Sequence, residues 1–325
     1  MATIKDVAKR AGVSISTASY ALNNIPNVHP LTKKKILDAA KELQYMPHFS
    51  ARHLKTKKTN NIGVFIYGFS GPVFSEILEG IRQTLQDHKL NIIVSSGLSS
   101  HSLLREKQVD GAIIFDANLT NDMIEHVASK GMPIIVLDRD YISSSIYQHS
   151  IDNEALVEAL MNDVIASKKY RSYGFVSGPL DAYNAVKRYE GFKKALKKHG
   201  IAQHAYYQGD FTIDGGYLIG QQFKHGQQQP DFVFCANDET AIGFMQAVKE
   251  HGYKIPRDIA IVGFDNFYMT QFMQPKITTI GIDHIEWGHQ VALKMIQLLD
   301  GYTLPKQESP TGTIFWRESC QIEKD

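Results

Sequence analysis

Met1-Ala-Thr-Ile-Lys-Asp-Val-Ala-Lys-Arg-Ala-Gly-Val-Ser-Ile-Ser-Thr-Ala-Ser-Tyr-Ala-Leu-Asn23 opens the chain, and its spacing predicts two short helices joined by a tight turn. Thr3 and Asp6 fit a capping box, in which a hydroxyl and a carboxylate three residues apart satisfy otherwise unpaired backbone donors reciprocally. Ile4, Val7, Ala8 and Ala11 recur at helical spacing, Gly12 punctuates, and Ser14 can cap the second helix. On that helix Ala18, Ala21 and Leu22 face inward. Ile15, Ser16, Ser19, Tyr20 and Asn23 remain outside, a short mixed set suited to a major groove, and phosphates suit the helix end at Ser14. A third helix is expected from about Thr32, with Ile36, Ala40 and Leu43 on one face.

Charge separates this head from an ordinary helical cap. Residues 1–60 hold 11 Lys or Arg against 3 Asp or Glu, a net of +8, leaving 24 against 31, a net of −7, for the remaining 265. A polyphosphate attracts such a head through counterion release. Beyond Pro47, residues 48–56 have little apolar surface and modest helical credentials, so alone they should fray.

Three stretches carry a resemblance: Thr3-Ile-Lys-Asp-Val-Ala-Lys-Arg-Ala-Gly-Val-Ser14, Thr17-Ala-Ser-Tyr-Ala-Leu-Asn23 and Tyr45-Met-Pro-His-Phe-Ser-Ala-Arg-His-Leu-Lys55. In these the sequence resembles the LacI/GalR family of bacterial transcription repressors, and later stretches extend the match to the full length. The resemblance implies base reading by Ile15, Ser16 and Tyr20, and phosphate contacts by Thr17, Ser19 and Asn23. Arg is frequent in the family where Tyr20 stands, and a phenol cannot make the forked guanine contact of a guanidinium. The operator is therefore expected to depart from the family's commonest half-site. The resemblance further implies that residues 48–56 form a hinge helix on DNA, with Ala51 and Lys55 beside Leu54, an apolar wedge for the minor groove.

From Asn61 onward apolar strand-like runs alternate with helical stretches, the pattern of parallel α/β sheets. Ile62-Gly-Val-Phe-Ile-Tyr67, Leu90-Asn-Ile-Ile-Val-Ser95, Gly111-Ala-Ile-Ile-Phe115 and Pro133-Ile-Ile-Val-Leu-Asp138 form one series. Tyr173-Gly-Phe-Val-Ser177, Asp231-Phe-Val-Phe-Cys235 and Ile259-Ala-Ile-Val-Gly-Phe-Asp265 belong to a second, with helices expected over 153–168, 189–199 and 237–251. The expected fold is α/β: an all-α helix-turn-helix DNA-binding head, then a two-lobed core of parallel α/β sheets that is periplasmic-binding-protein-like by the resemblance. The boundaries are 1–58 for the head and 59–325 for an effector-binding and dimerisation core. The first lobe takes about 60–155 and 285–312, the second about 156–284 and 313–325, with crossovers near 152–160, 280–285 and 310–318. Only about a dozen residues separate Ser96-Gly97 from Val109-Asp110, so the second helix of the first lobe must be short.

Ligands of open α/β sheets bind at the carboxyl ends of strands, where Asp138 with Arg139, Asn237 with Asp238, and Asp265 with Asn266 stand. Carboxylates, amides and a guanidinium suit vicinal hydroxyls, and aromatic faces cover a sugar ring. The resemblance implies ligand contacts for Asp138, Arg188, Asn237, Asp265 and the ring of Phe211; Phe69 and Phe74, around Gly71-Pro72, border the site. An Asp or Asn after a strand is often only a helix cap, and here Asp238 is expected to be the cap and Asn237 the ligand group.

Cys235 and Cys320 are the only cysteines and imply neither a disulfide framework nor a zinc site. No phosphate-cradling Gly-x-x-x-x-Gly-Lys, no Gly-x-Ser-x-Gly and no His-Glu-x-x-His occurs. Neither a signal peptide nor a run of membrane-spanning length is found, which points to the cytoplasm. The expectation is a homodimeric, non-enzymatic repressor without cofactor, binding double-stranded operator DNA and a small carbohydrate effector. No leucine heptads end the chain, so a tetramerising tail is not expected. Two alternatives stay open: a global regulator of the family controlled by a phosphorylated carrier protein, and a sugar-binding receptor or enzyme with an incidental basic head.

Overall fold

A computed structural model of the chain describes residues 2–23, 25–46, 58–69, 71–116, 118–139, 143, 146–224, 228–305 and 307–322. It divides into two compact units, Met1–Thr59 and Asn60–Asp325. The expected hinge helix, with Ala51, Leu54 and Lys55, lies outside the described residues.

In the first unit three helices, Ile4–Ala11, Ile15–Leu22 and Pro30–Glu42, close on Val7, Ala8, Ala11, Ala18, Ala21, Ile36, Ala39 and Ala40. The capping box is present: Thr3 N donates to Asp6 Oδ2 at 2.8 Å and Asp6 N to the Thr3 hydroxyl at 3.4 Å. Gly12, at φ 67°, terminates the first helix in the left-handed region that favours glycine. The third helix starts two residues earlier than its periodicity suggests. Pro30 takes the first turn, where a missing N–H costs nothing, and His29 Nδ1 accepts from Leu31 N.

The second unit holds two six-stranded sheets. Asn61–Ile66 (β1), Asn91–Ser96 (β2), Gly111–Phe115 (β3), Ile134–Val136 (β4), Tyr147–His149 (β5) and Gln307–Glu308 (β11) form an all-parallel sheet ordered β11-β5-β4-β3-β1-β2. Tyr173–Val176 (β6), Ala205–Tyr207 (β7), Phe232–Cys235 (β8), Ala260–Asp265 (β9), Thr278–Ile282 (β10) and Gly312–Phe315 (β12) form the second, ordered β12-β10-β9-β8-β6-β7. Its edge strand β12 runs antiparallel to β10, a departure from the parallel pattern that edge strands of such sheets tolerate. The chain passes between sheets three times: from β5 to β6, from β10 to β11 and from β11 to β12.

The central strands β1, β3, β6 and β8 are apolar on both faces, and helices cover both sides of the sheets to bury them. Asn153–Ala166 packs on Tyr183–Lys198, Ile213–Gly220 on Asp238–Glu250, and Pro72–Asp87 on His284–Leu299. The last crossing rests on two glycines: a Cβ at Gly80 would overlap the Ile285 carbonyl oxygen, and one at Gly288 the Ile77 carbonyl oxygen. The helix expected over 189–199 begins six residues earlier, at Tyr183, with no side-chain cap to announce it. In the short 97–109 segment only a 3₁₀ turn, Leu98–His101, and one helical turn, Ser102–Arg105, fit. Among the described residues no helix is long and apolar enough to cross a membrane.

Candidate functional site

The head presents one polar helix edge. Ser14 caps Ile15–Leu22, its Oγ accepting from Thr17 N at 3.1 Å and lying 2.8 Å from the Thr17 hydroxyl. Ile15 is 47% exposed and Tyr20 38%, and Ser16 lies open beside Ile15. Asn23 closes the helix, its amide donating to the Ser19 carbonyl at 2.8 Å. These residues occupy the outer side because alanine alternates inward: Ala18 and Ala21 are fully buried against the third helix.

In the second unit strand ends converge on a cleft. A cavity of about 220 Å³ is lined by Phe74, Asp138, Arg188, Phe211, Asn237 and Asp265, six of the seven residues nominated as effector contacts. A neighbouring compartment of about 470 Å³ shares Tyr67, Phe115, Asp138, Pro179, Asn184 and Phe211 with it. Phe69 is not brought in: it is 69% exposed and lines neither compartment. Its neighbour Tyr67 takes that border instead, at the end of β1.

Arg188 is the hub. Its Nε donates to Asn153 Oδ1 at 2.8 Å, Nη1 to the Ala236 carbonyl at 2.6 Å, and Nη2 pairs with Asp265 Oδ1 at 3.2 Å. The guanidinium also lies 3.6 Å from the Phe264 ring centroid. Four elements thus aim one cation: the Tyr183–Lys198 helix carries it, and the start of the Asn153–Ala166 helix and the ends of β8 and β9 hold it.

Asp138, Phe211 and Asp265 all have left-handed backbones, at φ 45°, 68° and 103°. Non-glycine residues there are strained, and the surrounding bonds sustain it. Asn237, for instance, donates to the Phe211 carbonyl at 2.9 Å, and the Phe211 ring fills the space a Cβ at Gly178 would need. Asp138 Oδ1 is buried with no hydrogen-bond partner among the described residues. Burial pushes its carboxyl up to about 6, with Arg188 opposing and Asp265 adding to the rise.

The capping assignment is reversed from expectation. Asn237 is the cap of Asp238–Glu250, its Oδ1 accepting from Thr240 N at 3.0 Å. Asp238 turns inward, accepting from the Thr279 hydroxyl and from Phe267 N, each at 2.7 Å. Both residues are buried, and burial pushes the Asp238 carboxyl well up despite its two donors. Asn266 is also structural, its amide oxygen accepting from Arg317 Nη2 at 2.5 Å. Arg139 staples a loop, donating to the Leu119 and Asp116 carbonyls at 2.8 and 3.1 Å.

An aromatic wall faces the polar groups. Phe74 meets Tyr67 edge-on at 5.1 Å and Phe115 at 4.9 Å, and Phe115 meets Trp287 at 6.1 Å. Trp287 is fixed from behind by its indole N–H on His149 Nδ1 at 2.8 Å. Phe115 and Asp116 end β3, so the strand-end rule could have found them. Tyr67 likewise stands at the end of β1, whereas Asn184, Asp210, Glu239, His284 and Trp287 arrive from other elements and carry no such signal. Among the described residues no group of three His, Cys, Asp or Glu could hold a metal.

Comparison with known proteins bears on both units. A profile of bacterial regulatory proteins of the lacI family matches residues 3–48, and one of the periplasmic binding protein-like domain matches 163–320. Catabolite control protein A of Priestia megaterium is 32% identical over 86% of this chain and 86% of its own. The lac repressor dimer bound to operator and the anti-inducer ONPF superposes with a TM-score of 0.83, at 25% identity over 98% of each chain. A sugar-binding transcriptional regulator from Enterococcus faecalis is 33% identical over 81% of this chain and 98% of its own, with a TM-score of 0.72.

Proposed function

The chain belongs to the lacI family of bacterial regulatory proteins, a DNA-binding transcriptional repressor with an effector-binding core and not an enzyme, and from that premise we propose that a small carbohydrate sets its operator affinity. The observation that carries the reading is the cleft itself, where Asp138, Arg188 and Asp265 face the wall of Tyr67, Phe74, Phe115 and Trp287. Paired hydrogen bonds to vicinal hydroxyls on one side and ring faces on the other are what a sugar ring requires. Asn237 and Phe211 complete the grip, and Phe69 is left to the cleft's outer edge.

The protein acts in the cytoplasm as a homodimer on a near-palindromic operator, since two-fold protein symmetry matches two-fold DNA symmetry. Ile15, Ser16 and Tyr20 read base edges; Ser14, Thr17, Ser19 and Asn23 hold phosphates. Leu54, flanked by Ala51 and Lys55, wedges the operator centre. Residues 1–58 form the DNA-binding part. In the core, residues 60–155 and 285–312 form one lobe and 156–284 and 313–325 the other. Sugar binds the two lobe arrangements unequally, and that difference is the coupling felt by the operator.

Fluorescence anisotropy on DNA from upstream of the gene, at fixed salt, tests this with a panel of mono-, di- and oligosaccharides. One sugar shifting operator affinity while nonspecific binding stays constant is expected. Operator binding indifferent to every sugar would move control elsewhere. The similarity to catabolite control protein A keeps catabolite control as the second reading, and the same titration tests it when a phosphorylated carrier protein replaces the sugars.

A further inference from the structure

We propose that the cleft selects an effector bearing no negative charge, uncharged or amine-bearing, and that Glu239 is a residue that sets this preference. The inference rests on the carbohydrate reading above and narrows it.

The charges lining the inner cavity are unbalanced. Asp138, Asp210, Asp265 and Glu239 face it, against Arg188 and His284. The charge of Arg188 is already matched by Asp265 at 3.2 Å. His284, if protonated, is matched by Glu76, whose Oε2 lies 3.2 Å from its Nδ1. Asp210 accepts from the backbone and hydroxyl of Thr212, at 3.0 and 2.7 Å. Asp138 Oδ1 is buried with no hydrogen-bond partner among the described residues. Glu239 has neither a hydrogen bond nor an ion pair among the described residues. Its Oε2 reaches across the cleft to within 3.5 Å of where a Cβ of Gly71 would stand.

Glu239 pays no role in its own helix that another residue does not fill, since Asn237 is the cap. It is half-buried, and burial followed by the charge of Asp265 raises its carboxyl pKa, as does burial for Asp138. The Tyr67 phenol is raised too, by desolvation and then by Asp138, Asp265 and Glu239 in turn, so four acidic groups share one space. A carboxylate or phosphate on a ligand would find only the remaining N–H groups of Arg188 and the Nε2 of His284, buried with no partner among the described residues, against four carboxyl groups. Hydroxyl or ammonium donors would satisfy Asp138 and Glu239 together, and a neutral ring oxygen can still use the N–H groups of Arg188 that are not bonded to protein.

Isothermal titration calorimetry of the purified full chain decides it, with matched series built on one ring. Each series holds the sugar, its amino derivative, its uronate and its phosphate, in pentose, hexose and disaccharide forms. The sugar or amino member is expected to bind at least about tenfold more tightly than the acid members of its series, and E239Q to narrow that ratio. Glu239→Lys should raise affinity for the uronate or phosphate. A uronate or phosphate that binds the native chain as tightly as its parent overturns the charge preference and leaves the carbohydrate reading standing. An unchanged ratio in a folded E239Q overturns the part given to Glu239. Failure of every series to bind overturns the carbohydrate reading and this inference with it.

Discussion

Asp138 concentrates the tension of the site: a left-handed backbone, a buried oxygen with no hydrogen-bond partner among the described residues, and a carboxyl raised to about 6. Because its pKa is higher folded than unfolded, the folded chain binds the extra proton. Stability is therefore lost as pH rises from about 4 to about 6, by on the order of 3 kcal/mol once the group is fully ionised. Asp138→Asn should be more stable than the native chain at pH 7, with the gain vanishing near pH 4, in urea titrations across that range. Equal pH slopes for the two proteins would remove Asp138 as the cause. The same variant should lose its response to sugar. The strand-end rule reached Asp138, Asn237 and Asp265 because parallel strands deliver their carboxyl ends to one edge. Tyr67, which ends the β1 run, falls under the same rule; Glu239 does not, because its place depends on how a helix start and the β1 exit approach each other across the cleft.

Strands were more legible than helix starts. An apolar run bounded by turn residues marks β1, β3 and β9 within a residue or so, whereas Pro30 and Tyr183 open helices ahead of their periodic residues. The cap of Asp238–Glu250 is not legible because Asn and Asp are equally good caps, and the donors at Phe267 and Thr279 that draw Asp238 inward lie far away in sequence. Asn237→Ala should lose about 1 kcal/mol from the missing cap, and more because the strained Phe211 carbonyl loses its donor. Thermal unfolding would read the first effect, and a Phe211 ring signal in NMR the second. A variant as stable as the native chain would show that the amide contributes nothing to either. The crossing of Pro72–Asp87 and His284–Leu299 makes a sharper demand. Gly80→Val should destabilise by roughly 1–3 kcal/mol or more, since backbone rather than a pliable side chain stands in its way.

At the scale of the whole molecule, charge partition was legible before any fold: +8 in residues 1–60 against −7 in the rest. Operator binding should therefore fall steeply with salt, log K dropping by about 0.9 for each phosphate neutralised per unit of log salt. Removing residues 1–58 should abolish it while sugar still raises the melting temperature; retained operator binding by residues 59–325 would sink the assignment of DNA reading to the head. The antiparallel edge strand β12 was not legible, because four residues of alternating exposure carry no direction of their own. The three passages between sheets carry a consequence for heredity. Each sheet collects strands from separated stretches of the chain, so no single break in the coding sequence delivers one sheet complete. A recombination that exchanged one sheet for another would have to cut and rejoin at all three passages at once. Substitutions within the cleft thus offer a shorter route to a new effector than exchange of a sheet.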